Sequence, residues 1–320
     1  MEHEPPAHLR DGPIYVAGHR GLVGAALVRR LRAAGCEQLL LAEHRELDLT
    51  AQAQVEAFFA AHRPVYVYLA AAQVGGIHAN STRPADFLRN NLQIQTNVID
   101  SAWRTGVRKL LFLGSSCIYP RDAPQPLRED ALLCGPLEST NEAYAVAKIA
   151  GIKLCQALRR QHGFNAISIM PTNLYGPGDN FSTEQAHVLP ALLRRIHEAK
   201  ERGDGTVLIW GTGTPRREFL HVDDLAAACL FLMERYEDER LINVGWGRDL
   251  TIAELAATIA RVVGYGGALR FDPSRPDGTP QKLLDTSRLT ALGWAPRIEL
   301  EAGIRSTYAW FLEHRSALRD

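Results

Sequence analysis

Tyr144-Ala-Val-Ala-Lys148 sets a phenol and an amine four residues apart in a helical stretch. One helical turn brings both side chains onto the same face. An ammonium there favours phenolate and is expected to draw the tyrosine below its ordinary pKa of about 10. A phenol tuned in this way passes a proton to or from a carbonyl oxygen while a hydride moves at the attached carbon. The pair alone recurs by chance in unrelated chains. Its weight comes from order: Gly18-x-x-Gly21-x-x-Gly24 precedes it, and Ser115-Ser116 lies between the two.

In the glycine turn, Gly18 permits the tight bend, Gly21 lets backbone approach a pyrophosphate, and Gly24 lets helix and strand pack closely. The helix that follows offers free N–H groups and a partial positive charge to phosphates. Arg20, inside the turn, suits an adenosine 2′-phosphate and so NADP, and is otherwise a solvated surface arginine. Farther on the chain reads Ala42-Glu43-His44-Arg45. A carboxylate there favours a free ribose hydroxyl and NAD, whereas Arg45 favours the phosphate. The balance leans to NADP(H).

These residues need a scaffold, and the apolar pattern supplies one. Short apolar runs at 14–17, 39–41, 65–70, 110–113 and 166–170 alternate with helical patterns at 52–61, 85–105 and 141–161. Strands that are apolar throughout and alternate with helices predict an α/β fold: a Rossmann-type doubly wound parallel sheet covered on both faces. Ligands in such sheets bind beyond the carboxyl ends of the strands, where the glycine turn, Ser115-Ser116 and Pro171-Thr172-Asn173 all fall. After Tyr175 the rhythm breaks into Gly, Pro and Asn, with further helical patterns at 190–200 and 252–263. The expected division is a dinucleotide-binding domain over 13–174 with a return over 219–245. A smaller, discontinuous substrate domain would occupy 175–218 and 246–320.

Composition narrows the class. With 320 residues, 46% hydrophobic, and 36 basic against 36 acidic side chains, the chain has core-forming content and zero formal net charge. This is not the basic footprint of a nucleic-acid binder or a membrane-surface protein. No apolar run approaches the roughly 20 residues of a membrane span. The polar, proline-containing opening reads as a ragged terminus and not as a signal peptide. Cys36, Cys117, Cys134, Cys155 and Cys229 are scattered, odd in number and without metal-ligand spacing, as expected of reduced thiols in a cytoplasmic protein with no metal.

With glycine turn, Ser115, Tyr144 and Lys148 in place, the chain resembles the extended short-chain dehydrogenase/reductase family. The resemblance runs from about residue 13 to the C-terminus. It is carried by Gly18-His19-Arg20-Gly21-Leu22-Val23-Gly24, Gly114-Ser115-Ser116-Cys117-Ile118-Tyr119-Pro120 and Glu142-Ala143-Tyr144-Ala145-Val146-Ala147-Lys148. Pro171-Thr172-Asn173-Leu174-Tyr175-Gly176, Arg216-Arg217-Glu218-Phe219 and Pro276-Asp277-Gly278-Thr279-Pro280 extend it. These blocks are similar to the members that turn GDP-4-keto-6-deoxy-D-mannose into GDP-L-fucose. Such members epimerise both carbons beside the ketone and then reduce the ketone with NADPH.

The resemblance implies roles. Tyr144 protonates the C-4 oxygen, Lys148 tunes it and holds the nicotinamide ribose, and Ser115 hydrogen-bonds the same oxygen, which also steadies an enolate. Cys117 and His187 share the acid–base work of epimerisation. His19, Leu22 and Val23 in the turn, and Pro171, Thr172, Asn173, Leu174 and His187, line the cofactor. Arg195 and Arg217 take the nucleotide pyrophosphate, Trp210 packs on base or sugar, and Asp277 and Lys282 belong to a loop over the nucleotide. Plainer readings stand beside these: Cys117 as a small buried hydrophobe, His187 as a helix-entry histidine, Arg195 on a solvated helix face, Trp210 in a core. A 4-epimerase, a 4,6-dehydratase and a non-catalytic dinucleotide sensor share the scaffold. A 4-epimerase has no need of Cys117 and His187, a dehydratase adds an acidic pair where this chain has Cys117-Ile118, and a sensor could dispense with the tyrosine–lysine pair kept here. The family also implies a homodimer through helices near 85–105 and 141–161. Ala42-Glu43, where the family often carries an arginine, departs from the pattern.

Overall fold

The structure, a computed structural model, describes residues 11–182, 186–275 and 277–317; the polar opening, residues 1–10, lies outside them. In chain order the strands are β1 (Ile14–Ala17), β2 (Leu39–Leu40), β3 (Tyr66–Leu69), β4 (Lys109–Leu113), β5 (Ala166–Pro171), β6 (Asn173–Tyr175), β7 (Thr206–Trp210), β8 (Arg216–His221), β9 (Ile242–Val244), β10 (Asp249–Thr251), β11 (Ala268–Asp272) and β12 (Gln281–Lys282). The helices are α1 (Leu22–Ala33), α2 (Gln52–His62), α3 (Ile77–Thr82), α4 (Pro84–Arg104), α5 (Glu142–His162), α6 (Val188–Arg202), α7 (Val222–Arg235), α8 (Ile252–Val263), α9 (Ser287–Ala291) and α10 (Leu300–His314).

Strands β2-β1-β3-β4-β5-β9 form one sheet in that order, and every pairing in it is parallel. Successive side chains of β1 enter opposite cores. Ile14 and Val16 pack with α1 and α7, whereas Tyr15 and Ala17 pack with α2, α4 and α5. Both faces are therefore buried, and the strands are apolar on both faces instead of alternating, apart from the buried Lys109, Ser168 and Asn243. The order reverses between β1 and β3, which opens a crevice at their carboxyl ends. Gly18, at φ +83°, closes that crevice: a Cβ there would stand 2.8 Å from the Ala71 backbone.

Beyond Tyr175, β8 is a hub, pairing parallel with β6 and β12 and antiparallel with β10, while β7 pairs with β11. A third core lies among α6, α8 and α10. The turn-rich reading of this half missed these strands. They run two to six residues, too short for a period to show, and β7 even exposes Leu208 and Trp210.

Candidate active site

Tyr144 lies in the first turn of α5 and Lys148 one turn later. Lys148 is 3% exposed; its Nζ donates to the Leu113 carbonyl at 2.7 Å and sits 4.9 Å and 5.9 Å from the Phe112 and Tyr144 ring centres. Gln95 of α4 fixes the helix from behind, donating to the Ala147 carbonyl at 2.5 Å. Burial pushes Lys148 down to about 8 against the opposing pull of the Cys117 thiol. Burial raises Tyr144 and the neighbouring Cys117 adds to it, while a hydrogen bond with Ser115 acts in reverse. The expected depression of the tyrosine is thus not found. Enclosure of the phenol outweighs an ammonium that is itself weakened and aimed at a carbonyl.

Ser115 lies two residues past β4 and caps the short 3-10 turn Ser116–Ile118, its Oγ accepting from the Cys117 N–H at 3.4 Å. Cys117 is 8% exposed, and burial pushes its thiol up; Lys282, Ser115 and Lys148 pull the other way. His187 is the N-cap residue of α6 and makes no side-chain cap bond, so the helix-entry reading does not account for its ring. Although His187 stands exposed at the helix entrance, partial desolvation of its ring, and then the Lys282 ammonium, hold it below the ordinary imidazole range. Lys282 stands on β12 directly opposite Arg217 on β8. Burial lowers Lys282, Cys117 opposes, and Arg217 lowers it further. Cys117, in the turn after β4, is therefore coupled to Tyr144 and Lys148 of α5 and to Lys282 of β12, and Lys282 in turn to His187 at the head of α6 and Arg217 of β8.

The turn fits a dinucleotide. Gly24 admits no side chain, because a Cβ would collide with the Gly18 carbonyl. The α1 N-cap, Gly21, supplies no side-chain cap, and the first turn, which begins at Leu22 and Val23 beside His19, has no acidic residue. Its N–H groups remain available to an anion. Arg20 and Arg45 both pair with Glu43, at 3.0 Å and 3.1 Å. At the far side of the crevice Pro171 ends β5 and Leu174 continues into β6; between them Thr172 Oγ1 and Asn173 Nδ2 both donate to the Glu218 carbonyl, at 3.3 Å and 2.8 Å. Asn173 is therefore half-engaged already, which leaves its carbonyl end for a ligand.

Trp210 is no core residue: it is 60% exposed, with the Arg195 and Arg275 guanidinium carbons 5.9 Å and 5.1 Å from its ring centre. Arg195 also donates to the Leu208 carbonyl at 3.2 Å. Asp277 accepts from Thr212 N–H and Oγ1, both at 2.7 Å, and its charge opposes the lowering that burial imposes on Arg217. The residue that sequence reasoning passed over is Glu218, quoted in a motif but given no task. It is 0% exposed, accepting from Gly247 N–H at 2.7 Å and Leu284 N–H at 3.0 Å. Only a carboxylate inside an otherwise buried strand signals it.

Residues 14–245 match the NAD dependent epimerase/dehydratase family. The chain belongs to that family. Among NAD dependent epimerase/dehydratase relatives, GDP-L-fucose synthase 1 of Arabidopsis thaliana is 61% identical over 305 residues, 95% of this chain and 94% of that protein. The GDP-L-fucose synthase of Escherichia coli is 55% identical over 315 residues, 96% and 98% of the two chains. Among solved structures, a GDP-mannoheptose C4 reductase from Campylobacter jejuni with NADP bound superimposes with a TM-score of 0.87 at 40% identity, covering 94% and 98%. No helix among the described residues is long and apolar enough to cross a membrane.

Proposed function

We propose that this family member converts GDP-4-keto-6-deoxy-D-mannose to GDP-L-fucose with NADPH, by 3,5-epimerisation and then 4-keto reduction. The observation that carries the reading is the placing of Cys117 beside both the Tyr144–Lys148 pair and Lys282, with His187 beside Lys282 in turn. A reductase alone needs only the tyrosine–lysine half. The full-length GDP-L-fucose synthase relatives support the same substrate.

The residues divide the work. Cys117 and His187 remove and return protons at the carbons flanking the ketone, each such role being worth on the order of 10²–10⁴ in rate. Ser115 hydrogen-bonds the C-4 oxygen and holds the enolate charge that forms there. Tyr144 then delivers its proton to that oxygen. NADPH, when bound along Gly18–Gly24, Lys148 and the 171–174 segment, supplies the hydride. Arg217, Arg195 and Trp210, with Asp277 and Lys282, bind the GDP moiety; a guanidinium fork suits a pyrophosphate and a tryptophan face suits a base.

The same reading assigns 13–174 with 219–245 to the cofactor, and 175–218 with 246–320 to the sugar nucleotide. The two cores flanking the parallel sheet and the third core among α6, α8 and α10 support that division. It also makes the enzyme a cytoplasmic homodimer joined through α4 and α5. The odd number and scatter of the cysteines support the compartment, and Val146, an exposed apolar side chain on α5, supports the face.

The deciding experiment follows NADPH consumption with GDP-4-keto-6-deoxy-D-mannose in heavy water and identifies the sugar. GDP-L-fucose carrying deuterium at both carbons beside the former ketone is expected. Reduction without exchange would leave a plain ketoreductase, and no turnover would remove this substrate.

A further inference from the structure

Arg20 lies in the turn after β1 and Arg45 lies past β2, yet both reach the same oxygen. Arg20 Nη1 stands 3.0 Å and Arg45 Nε 3.1 Å from Glu43 Oε2. Two guanidiniums on one carboxylate leave a surplus positive charge. The Glu43 backbone is pinned: its N–H donates to Glu46 Oε2 at 2.9 Å, and its carbonyl accepts from the Glu46 and Leu47 N–H groups, both at 2.9 Å. Its side chain keeps 30% exposure, and the arginines keep 71% and 79%. The base of Glu43 is fixed by backbone hydrogen bonds, while its carboxylate is held only by two solvent-exposed ion pairs.

This position, past the second strand and beside the glycine turn, is where such folds read the adenosine ribose. A carboxylate accepts the 2′-hydroxyl of NAD, and a guanidinium takes the 2′-phosphate of NADP. Most sites supply one or the other; this chain supplies both in contact. We infer that Glu43 is a specificity-determining residue that opens the cofactor site to NADH as well as NADPH, an inference that rests on the dinucleotide reading above. Held by Arg20 and Arg45, the carboxylate occupies the place of a 2′-phosphate. Turned toward the ribose, it accepts the hydroxyls of NADH. Displaced by the phosphate of NADPH, it leaves two guanidiniums to bind that group. Exposed ion pairs are weak, so displacement costs little and the preference between the cofactors stays shallow. A carboxylate left near a phosphate also acts as a repulsive element against NADPH, which removing its charge would relieve.

Equilibrium titrations of NADPH and NADH against the whole protein, without sugar nucleotide, test this in wild type, Glu43→Gln and Arg45→Ala. Wild type is expected to bind both. Glu43→Gln should tighten NADPH and weaken NADH, moving the ratio of the two Kd values by about fivefold, the scale of one exposed charge contact. Arg45→Ala should move the ratio in the opposite direction. A ratio unmoved by Glu43→Gln, or a wild type that binds NADPH and not NADH, would overturn the inference while leaving turnover to GDP-L-fucose intact. Binding of neither dinucleotide would overturn it together with the reading beneath it.

Discussion

Cys117, His187 and Lys282 come from a 3-10 turn, a helix cap and a two-residue strand, and Lys282 acts on the protonation of the other two. Burial keeps Cys117 a thiol; the Lys282 ammonium favours its thiolate and disfavours the imidazolium of His187. Lys282→Met should therefore raise the pH at which Cys117 becomes reactive, since removing a cation removes support for the thiolate. Peptide-resolved iodoacetamide labelling against pH checks this: the Cys117 midpoint should move up while exposed Cys134 stays put, and an unmoved Cys117 would separate the two groups. Tyr144→Phe should lower ketone reduction by about 10²–10⁴, the worth of one general acid, while deuterium exchange beside the ketone persists. Loss of both at once would tie epimerisation to the tyrosine. At this scale the sequence was readable for identity and not for state. Spacing picked out Tyr144, Lys148 and Ser115 and the resemblance added Cys117, yet the expected low tyrosine pKa failed, because enclosure is a property of packing and leaves no mark in a five-residue motif.

Among elements, β8 carries the lesson. Its Arg217 faces Lys282 across the β8–β12 register, and its next residue, Glu218, fastens the neighbours. The Glu218 carboxylate holds Gly247 after β9 and Leu284 after β12, and its carbonyl holds Thr172 and Asn173 between β5 and β6. One residue thus sets Lys282 and Arg217, proposed to face the sugar nucleotide, against Asn173, proposed to face the cofactor. Burial pushes the carboxyl up, and these N–H donors, Gly247 first, restrain it. Glu218→Gln keeps the shape but turns an amide N–H₂ toward one of two backbone donors, a mismatch worth about 1–3 kcal/mol. The expected result is a severalfold rise in KM for the sugar nucleotide with NADPH affinity retained. A fall in Tm with KM unchanged would make Glu218 purely structural. The strands of the parallel sheet were legible because double-sided burial makes them apolar on both faces. β6, β8 and β12 were not, because partners far apart in sequence specify short strands with mixed polar residues.

Across the whole molecule, the third core is fastened to the sheet side by few but close contacts. Gly303 on α10 lets Tyr175 of β6 lie against the helix, since a Cβ there would collide with the Tyr175 hydroxyl and stand 3.0 Å from His221 Cδ2. Asp224 of α7 accepts the Arg297 and Ile298 N–H groups at 3.1 Å and 2.8 Å, and His221 Nε2 meets Ser306 Oγ at 3.3 Å. None of these contacts is visible in Leu300-Glu-Ala-Gly-Ile-Arg305, which reads as an ordinary amphipathic helix. Because the seam is buried and shared, the cofactor and substrate sides should melt together. NADPH at a hundred times its Kd should stabilise that single transition by about 2.7 kcal/mol. Gly303→Ala forces the helix off Tyr175, an overpacking cost on the order of 1–3 kcal/mol. Calorimetry should then show a lower Tm, still raised by NADPH as one transition. If the variant instead melted in two steps, with NADPH moving only the later one, the seam would be a hinge between independent units, and the arrangement of Arg217 and Lys282 against the cofactor would depend on substrate to close it.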